Sequence, residues 1–267
     1  MSRMIKIGSS GKVVMKLQRL LRDKGFLTGM ADGAFGPGTH AALVSFQKAN
    51  NLLDDGIAGK RTWEELRGNH VDPWQLTAQD IARAADTLGV EIAAIKAVSE
   101  VESSGGGFVK EGQPKVLFER HWMNRRLNSR GLTLAADLGR SERPDIVNTS
   151  TGGYRGGSHE WTRLQTARKL SDEAALESAS YGRYQLMGFH WDNLGYPSIQ
   201  DFVEKHSTNE GHQLDGFVKF ILADARLLKA LKSKDWPTFA RVYNGPAYAK
   251  NKYDQKMAAA YERHTLN

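Results

Sequence analysis

Within the first 66 residues an eight-residue frame occurs twice, offset by 23 positions: Asp32-Gly33-Ala34-Phe35-Gly36-Pro37-Gly38-Thr39 and Asp55-Gly56-Ile57-Ala58-Gly59-Lys60-Arg61-Thr62. The shared pattern, D-G-x-x-G-x-x-T, leaves the backbone few options. Asp-Gly favours a tight turn because glycine accepts positive φ, and the closing Thr has the chemistry of a helix N-cap. Thr62 and Glu65 even stand at capping-box spacing. Each octet therefore reads as a turn that delivers the chain into a helix. Val13, Val14, Leu17, Leu20 and Leu21 recur at helical spacing before the first octet, and Ala42, Leu43, Phe46 and Gln47 do so between the two. The expectation is a compact three-helix unit with Leu17, Phe35, Phe46 and Ile57 in its core.

A short turn-rich stretch, Gly68 to Pro73, follows, and Thr77-Ala78-Gln79-Asp80 then opens an apolar-periodic run as a helix start should. This places a first domain at residues 1–68, a linker at 69–76 and a second domain at 77–267, and 267 residues are enough for two cores. The second domain carries at least four helical patterns and few strand signals, so the fold class is mostly α. Residues 131–159, with Asn148 to Gly157 at their centre, read as one long loop, and loops that long are usually functional or mobile.

The composition narrows the chemistry. No cysteine is present, which excludes disulfides, thiolate metal sites and a cysteine nucleophile. His40 and His70 lack ligand spacing, and His206, His212 and Asp215 read as surface residues, so neither a metal nor a cofactor is expected. There is no G-x-S-x-G elbow, no H-E-x-x-H helix and no phosphate-binding glycine loop. The run Phe217 to Leu231 is amphipathic, but a buried core helix explains it better than membrane contact. The charged start Met1 to Lys12 contains no apolar stretch leading to a cleavage site, so no signal peptide is expected and the chain should stay in the cytoplasm where it is made. Residues 1–70 hold 11 basic and 6 acidic side chains, a net of +5, against +2 for the remainder. That bias suits an anionic partner, and nucleic acid or an acidic cell envelope would both serve.

Two acids sit near the end of the pattern Glu91 to Glu102, before Ser103-Ser104-Gly105-Gly106-Gly107 breaks it. Glu102 shares a stripe with Val98 and Ile95, which should face the core, whereas Glu100 lines up with Lys96 and suits a solvated pair with it. A carboxyl against apolar walls loses hydration of its charged form and stays protonated to higher pH, as a glycosidase acid must. The competing reading of Glu102 is a frayed helix end reaching solvent.

Val101-Glu102-Ser103-Ser104-Gly105 resembles the glutamate-serine signature of goose-type lysozymes and lytic transglycosylases. Ser180-Tyr181-Gly182-Arg183-Tyr184-Gln185-Leu186-Met187 resembles their second motif, and Ala240 to Gly245, containing Tyr243-Asn244, their third. Val116 to His121 and Tyr243 to Tyr248 are similar to the phage N-acetylmuramidase family. The first 66 residues resemble the common peptidoglycan-binding domain through Gly11, Leu17-Gln18, the two octets and Phe46-Gln47. Together these imply a modular bacteriophage endolysin: a three-helix binding module followed by a larger lysozyme-like helical domain.

The resemblance implies cleavage of the β-1,4 bond between N-acetylmuramic acid and N-acetylglucosamine, with Glu102 protonating the leaving oxygen. Ser103, Tyr181, Gln185, Met187, Tyr243 and Asn244 would bind the sugars, although Tyr243 could equally be core and Gln185 a tie between helices. Glu119, beside Arg120 and His121, is either a second carboxylate kept ionised or a salt-bridge partner that fixes its loop. A lytic transglycosylase making anhydro ends, or a non-catalytic wall-binding virion protein, are the alternatives. Peptidoglycan is the implied partner of a monomeric chain that binds no nucleic acid, inserts stably into no membrane, and waits in the host cytoplasm until lysis releases it.

Overall fold

The computed structural model describes residues 4–68, 74–102, 106–110 and 112–266, with the side chain of Ala247 excepted. His70, Ser103 and residues 69–73 of the expected linker lie outside the described residues. The chain divides into two compact units, residues 1–74 with 109–113, and residues 75–108 with 114–267.

The first unit holds α1 (Lys12–Asp23), α2 (Pro37–Ala49) and α3 (Lys60–Arg67) around a core that includes Leu17, Leu43, Phe46, Trp63 and Leu66. Its two octets are built alike, each around a glutamine from the preceding helix. Gln18 Nε2 donates to Asp32 Oδ1 (2.8 Å), Ala34 O (3.0 Å) and Thr39 Oγ1 (3.0 Å), while its Oε1 accepts from Gly33 N (2.8 Å). Gln47 repeats the scheme on Asp55 (3.3 Å), Ile57 O (3.0 Å), Thr62 (3.2 Å) and Gly56 N (2.9 Å). Gly33 and Gly56 both take positive φ, 78° and 67°, as the turn requires.

Two expectations are corrected by this arrangement. The helices begin at Pro37 and Lys60, after Gly36 and Gly59, so Thr39 and Thr62 are third-position residues whose hydroxyls accept from the glutamines and do not act as N-caps. Ile57 corresponds to the exposed Ala34, and the inward position of the second octet is filled by Ala58, as Phe35 fills the first.

The second unit is helical with a small sheet. α4 (Ala78–Leu88) starts in a complete capping box between Thr77 and Asp80 and ends at left-handed Gly89. α5 (Ile92–Glu102) follows; the short strands β1 (Phe108–Lys110) and β2 (Gln113–Pro114), which pair with each other, carry the segment 109–113 that groups with the first unit. β3 (Val116–Phe118), β4 (Ala179–Tyr181) and β5 (Leu186–Met187) form an antiparallel sheet with β4 in the middle and Val116 opposite Tyr181. Between β3 and β4 lie α6 (Arg120–Ser129), α7 (Thr133–Glu142), α8 (His159–Arg168) and α9 (Asp172–Glu177). After β5 come α10 (Ile199–Thr208), α11 (Glu210–Ala223), α12 (Ala225–Ser233), α13 (Trp236–Asn244) and α14 (Tyr253–Thr265).

Residues 131–159 are therefore not one loop, because α7 occupies their first half with Ala136 and Gly139 buried. The run Phe217 to Leu231 is two helices, broken where Asp224 caps α12 through Arg226 N. His206 is fully buried, not a surface residue. Its ring stacks on Phe202 at 4.0 Å and its Nδ1 lies 2.8 Å from Phe202 O. Burial holds its pKa down to about 4, so it is neutral in the folded protein. Among the described residues no helix is long and apolar enough to cross a membrane.

Candidate active site

α5 is apolar on nearly every face, with Ala93, Ala94, Ile95, Ala97, Val98 and Ser99 buried, and it packs between α4 and α14. Such a helix delivers its last residue, Glu102, to the edge of the core. Desolvation there pushes the carboxyl pKa up to about 7, against the opposing pull of one hydrogen bond, Asn244 Nδ2 to Glu102 Oε1 at 2.9 Å. Glu100 turns the other way. Its partners are Arg263 and His264 of α14, not Lys96, because α14 covers that face of α5.

Asn244 ends α13, where Gly245 turns the chain with φ 80°. Its neighbour Tyr243 is half-buried, edge-on to Phe217 and Phe220, and donates its hydroxyl to Tyr184 O at 2.7 Å. Burial, and to a smaller extent the nearby Glu102, raises its pKa well above 10. Tyr184 in turn shares a 2.8 Å hydrogen bond with Ser99 of α5, one helical turn before Glu102. The glutamate helix, the β4–β5 turn and the end of α13 are thus tied together through three side chains.

The other expected sugar ligands sit differently. Tyr181 is fully buried in the central strand, edge-on to Phe202, with its hydroxyl given to Leu176 O at 2.9 Å, so it has no face to offer a sugar. Gln185 is exposed in the β4–β5 turn with φ 50°, accepting from Ser180 Oγ (2.9 Å) and donating to Gly182 O (2.8 Å). It ties its own turn, not two helices. Met187 is half-exposed in β5. Glu119 follows β3, and both its oxygens lie 2.9 Å from the Tyr154 hydroxyl. His121 Nδ1 stands 3.1 Å from Glu119 Oε2, in ion-pair range but off the line a hydrogen bond needs. Arg120 does not reach Glu119. Its guanidinium holds the carbonyls of Pro144, Ser150 and Thr151 in the loop at 143–158. Among the described residues no group of three or more His, Asp or Glu could hold a metal.

Residues 91–265 match the family model of N-acetylmuramidase, and residues 10–66 that of a putative peptidoglycan binding domain. The chain belongs to the N-acetylmuramidase family. It is similar over 99% of its length to the whole crystallised chain of a Burkholderia AP3 phage endolysin, at 43% identity and a TM-score of 0.72. Among curated proteins it is 45% identical over 65 residues to a spore cortex-lytic enzyme of Bacillus cereus. It is 48% identical over 56 residues to an N-acetylmuramoyl-L-alanine amidase of Mycobacterium tuberculosis. It spans a quarter of the first of these and 14% of the second.

Two buried polar hubs, neither singled out in the sequence, hold this muramidase domain together around the candidate site. Glu210, at the start of α11, accepts from Leu76 N (3.2 Å), Gly107 N (2.5 Å) and Arg183 Nη1 (3.0 Å). Beside it, buried Gln213 accepts from Arg183 N at 2.7 Å and lies so close to Gly182 that a Cβ there would stand 2.5 Å from its amide carbon. The second hub is the fully buried pair Glu160–Arg163 (2.7 Å). Glu160 takes Phe118 N (3.1 Å), Arg155 N (2.6 Å) and Gly156 N (3.0 Å), while Arg163 donates to Phe118 O (2.9 Å) and Asp145 O (2.7 Å). It fixes the residue before Glu119 and both ends of the loop that carries Tyr154. The i,i+3 spacing of Glu160 and Arg163 is visible in the sequence, but their contacts to Phe118 and those of Glu210 to Leu76 and Gly107 lie 42 or more residues away and are not.

Proposed function

We propose that this chain hydrolyses the β-1,4 bond between N-acetylmuramic acid and N-acetylglucosamine in bacterial peptidoglycan, as a modular endolysin that lyses the host cell. The observation that carries the reading is Glu102: a carboxyl whose pKa is raised to about 7, held by Asn244, in a chain of the N-acetylmuramidase family. A group protonated near neutral pH can give its proton to the departing glycosidic oxygen, and Asn244 then stabilises the carboxylate left behind. Tyr243 and Tyr184 act as positioning residues for that pair.

Glu119 is the second carboxylate in this account, serving as base or oxocarbenium stabiliser. Tyr154 orients it and His121, when protonated, balances its charge. The first unit supplies affinity for the wall, the reading supported by its peptidoglycan-binding match and by its basic balance.

The test is digestion of purified peptidoglycan by the wild type and by Glu102→Gln, with the products reduced by borohydride and weighed. Reducible muramic ends that disappear in the variant are expected. Anhydro ends, one water lighter, would replace hydrolysis by a transglycosylase reaction using the same acid. Undiminished cleavage by the variant would remove Glu102 from the mechanism.

A further inference from the structure

The Glu160–Arg163 hub also forms part of a wall that the candidate active site does not use. Beside it, α8 and the segment around Arg143 enclose a cavity of about 90 Å³, bordered by Arg143, Asp145, Arg155, His159, Thr162 and Arg163. His159, Thr162 and Arg163 recur at i, i+3 and i+4 on one face of α8, in its N-terminal half. Arg143, Arg155, His159 and Thr162 are exposed and make the mouth, whereas Arg163, only 3% exposed, makes the buried wall.

One donor in that buried wall is unused. Arg163 gives Nη1 to Phe118 O and Glu160 and Nη2 to Asp145 O, but its Nε, equally shut off from solvent, has no partner among the described residues. A buried N–H without an acceptor is uncommon in folded proteins. The charge is unbalanced as well. Arg143 takes Asp145 through two 3.1 Å contacts and holds its carboxyl below the usual range, with Arg155 adding a weaker through-space pull. Glu160 is taken by Arg163 at 2.7 Å. Among the described residues no carboxylate forms an ion pair with Arg155 or His159. Three guanidiniums therefore face two carboxylates, with His159 as a further cation when protonated. They gather at the positive end of α8, where the helix dipole disfavours cations and favours an anion, and Ser158 makes no side-chain cap there. Water filling the cavity would satisfy the Nε–H but not the charge.

We infer that this cavity is an oxyanion site that takes one phosphate group, bound by Arg163 Nε and Arg155 with the Thr162 hydroxyl and the His159 ring beside them. Donors that converge from α8 and from the preceding loop suit a tetrahedral group with several acceptor oxygens better than a carboxylate with two. A phosphate's charge of about −1.5 to −2 also answers the local excess. The ligand is either free phosphate or a phosphate carried on a larger molecule whose remainder stays outside the mouth. Seated there, it braces the loop that carries Tyr154, because Arg155 N (2.6 Å) and Gly156 N (3.0 Å) both donate to Glu160.

The test is a nitrogen-15 resonance titration of the full chain with inorganic phosphate, at fixed pH and constant ionic strength. The Arg163 Nε–H and the amides of Arg155 and Gly156 should shift together and saturably, with a Kd on the order of 1 mM. Arg155→Gln removes a charge-assisted contact and should raise that Kd roughly tenfold or more. Lys229→Gln, at an exposed cation of α12, should leave it unchanged. Acetate should bind far more weakly than phosphate. Glucose 1-phosphate separates the two sources: affinity matching the inorganic ion supports a site open to carried phosphate, and binding of the inorganic ion alone supports a site for the free ion. No saturable shift of the Arg163 Nε–H by about 50 mM phosphate would overturn the site. Equal weakening by Arg155→Gln and Lys229→Gln would also overturn it, as attraction to charge at large. Acetate binding as tightly as phosphate would overturn the phosphate assignment. Cleavage is not the readout, so none of these failures touches the hydrolase reading.

Discussion

A carboxyl at the C-terminal end of an apolar helix meets two effects of the same sign. Lost hydration disfavours its anion, and so does the partial negative charge of the helix end. Glu102 keeps its proton to about pH 7 for the first reason above all, and Asn244 opposes it by donating to the charged form. Activity should therefore fall as pH rises through about 7. Asn244→Ala removes a group that favours the anion, so its alkaline limb should move to higher pH while its maximal rate drops. A limb moving down would contradict the account. The same shift is a stability statement. The folded pKa lies above the unfolded value, so the protonated carboxyl costs nothing below about pH 4.5, and a penalty accumulates from there to about pH 7 as only the unfolded chain ionises. Above that it levels off at roughly 3 kcal/mol. Glu102→Gln should thus be inactive yet more stable than the wild type at pH 8, with the difference vanishing at pH 4, as thermal melting would show.

At the scale of elements, short pieces of irregular backbone are fixed by single buried side chains. Glu160→Gln leaves Arg163 buried without its counter-charge, which should cost roughly 3 to 5 kcal/mol in denaturant unfolding of the second unit. A loss under about 1 kcal/mol would mean the pair is not holding β3 and the Tyr154 loop. Elements built from neighbouring residues could be read in the sequence. The three short helices of the first unit, the helix start at Thr77 and the apolar stripe under Glu102 all follow from local spacing. What depended on distant partners could not. Thr39 and Thr62 look like caps until Gln18 and Gln47 claim their hydroxyls, and Glu100 looks paired with Lys96 until Arg263 of α14, 163 residues later, takes it. Tyr181 offers the right chemistry for a sugar, but a central strand turns it inward. Glu102 and Asn244, 142 residues apart, were brought forward separately by motif, and only the fold puts them in contact.

At the scale of the whole molecule the charge is unevenly shared, with +5 of the net +7 in the first 70 residues. Long-range attraction of that kind is screened by salt over about 10 Å at 0.1 M. Removing residues 1–74 should weaken binding to purified sacculi and erase most of its salt dependence, while leaving cleavage of soluble glycan near the full-length rate. Equal sacculus affinity with and without the module, measured by co-sedimentation, would count against a binding role. Acid sensitivity belongs to the other unit. Buried His206, with its pKa depressed to about 4, contributes stability that is present above about pH 6.5 and is lost as pH falls through 4.

The central claim is that the fold holds Glu102 as a neutral acid at the pH where the wall is cut. The most direct measurement is the carboxyl carbon resonance of Glu102, assigned by its absence in Glu102→Gln and followed from pH 3 to pH 10. A midpoint near 7, coincident with the alkaline limb of the cleavage rate, is the result predicted. A midpoint near the 4.5 of an ordinary glutamate would contradict it.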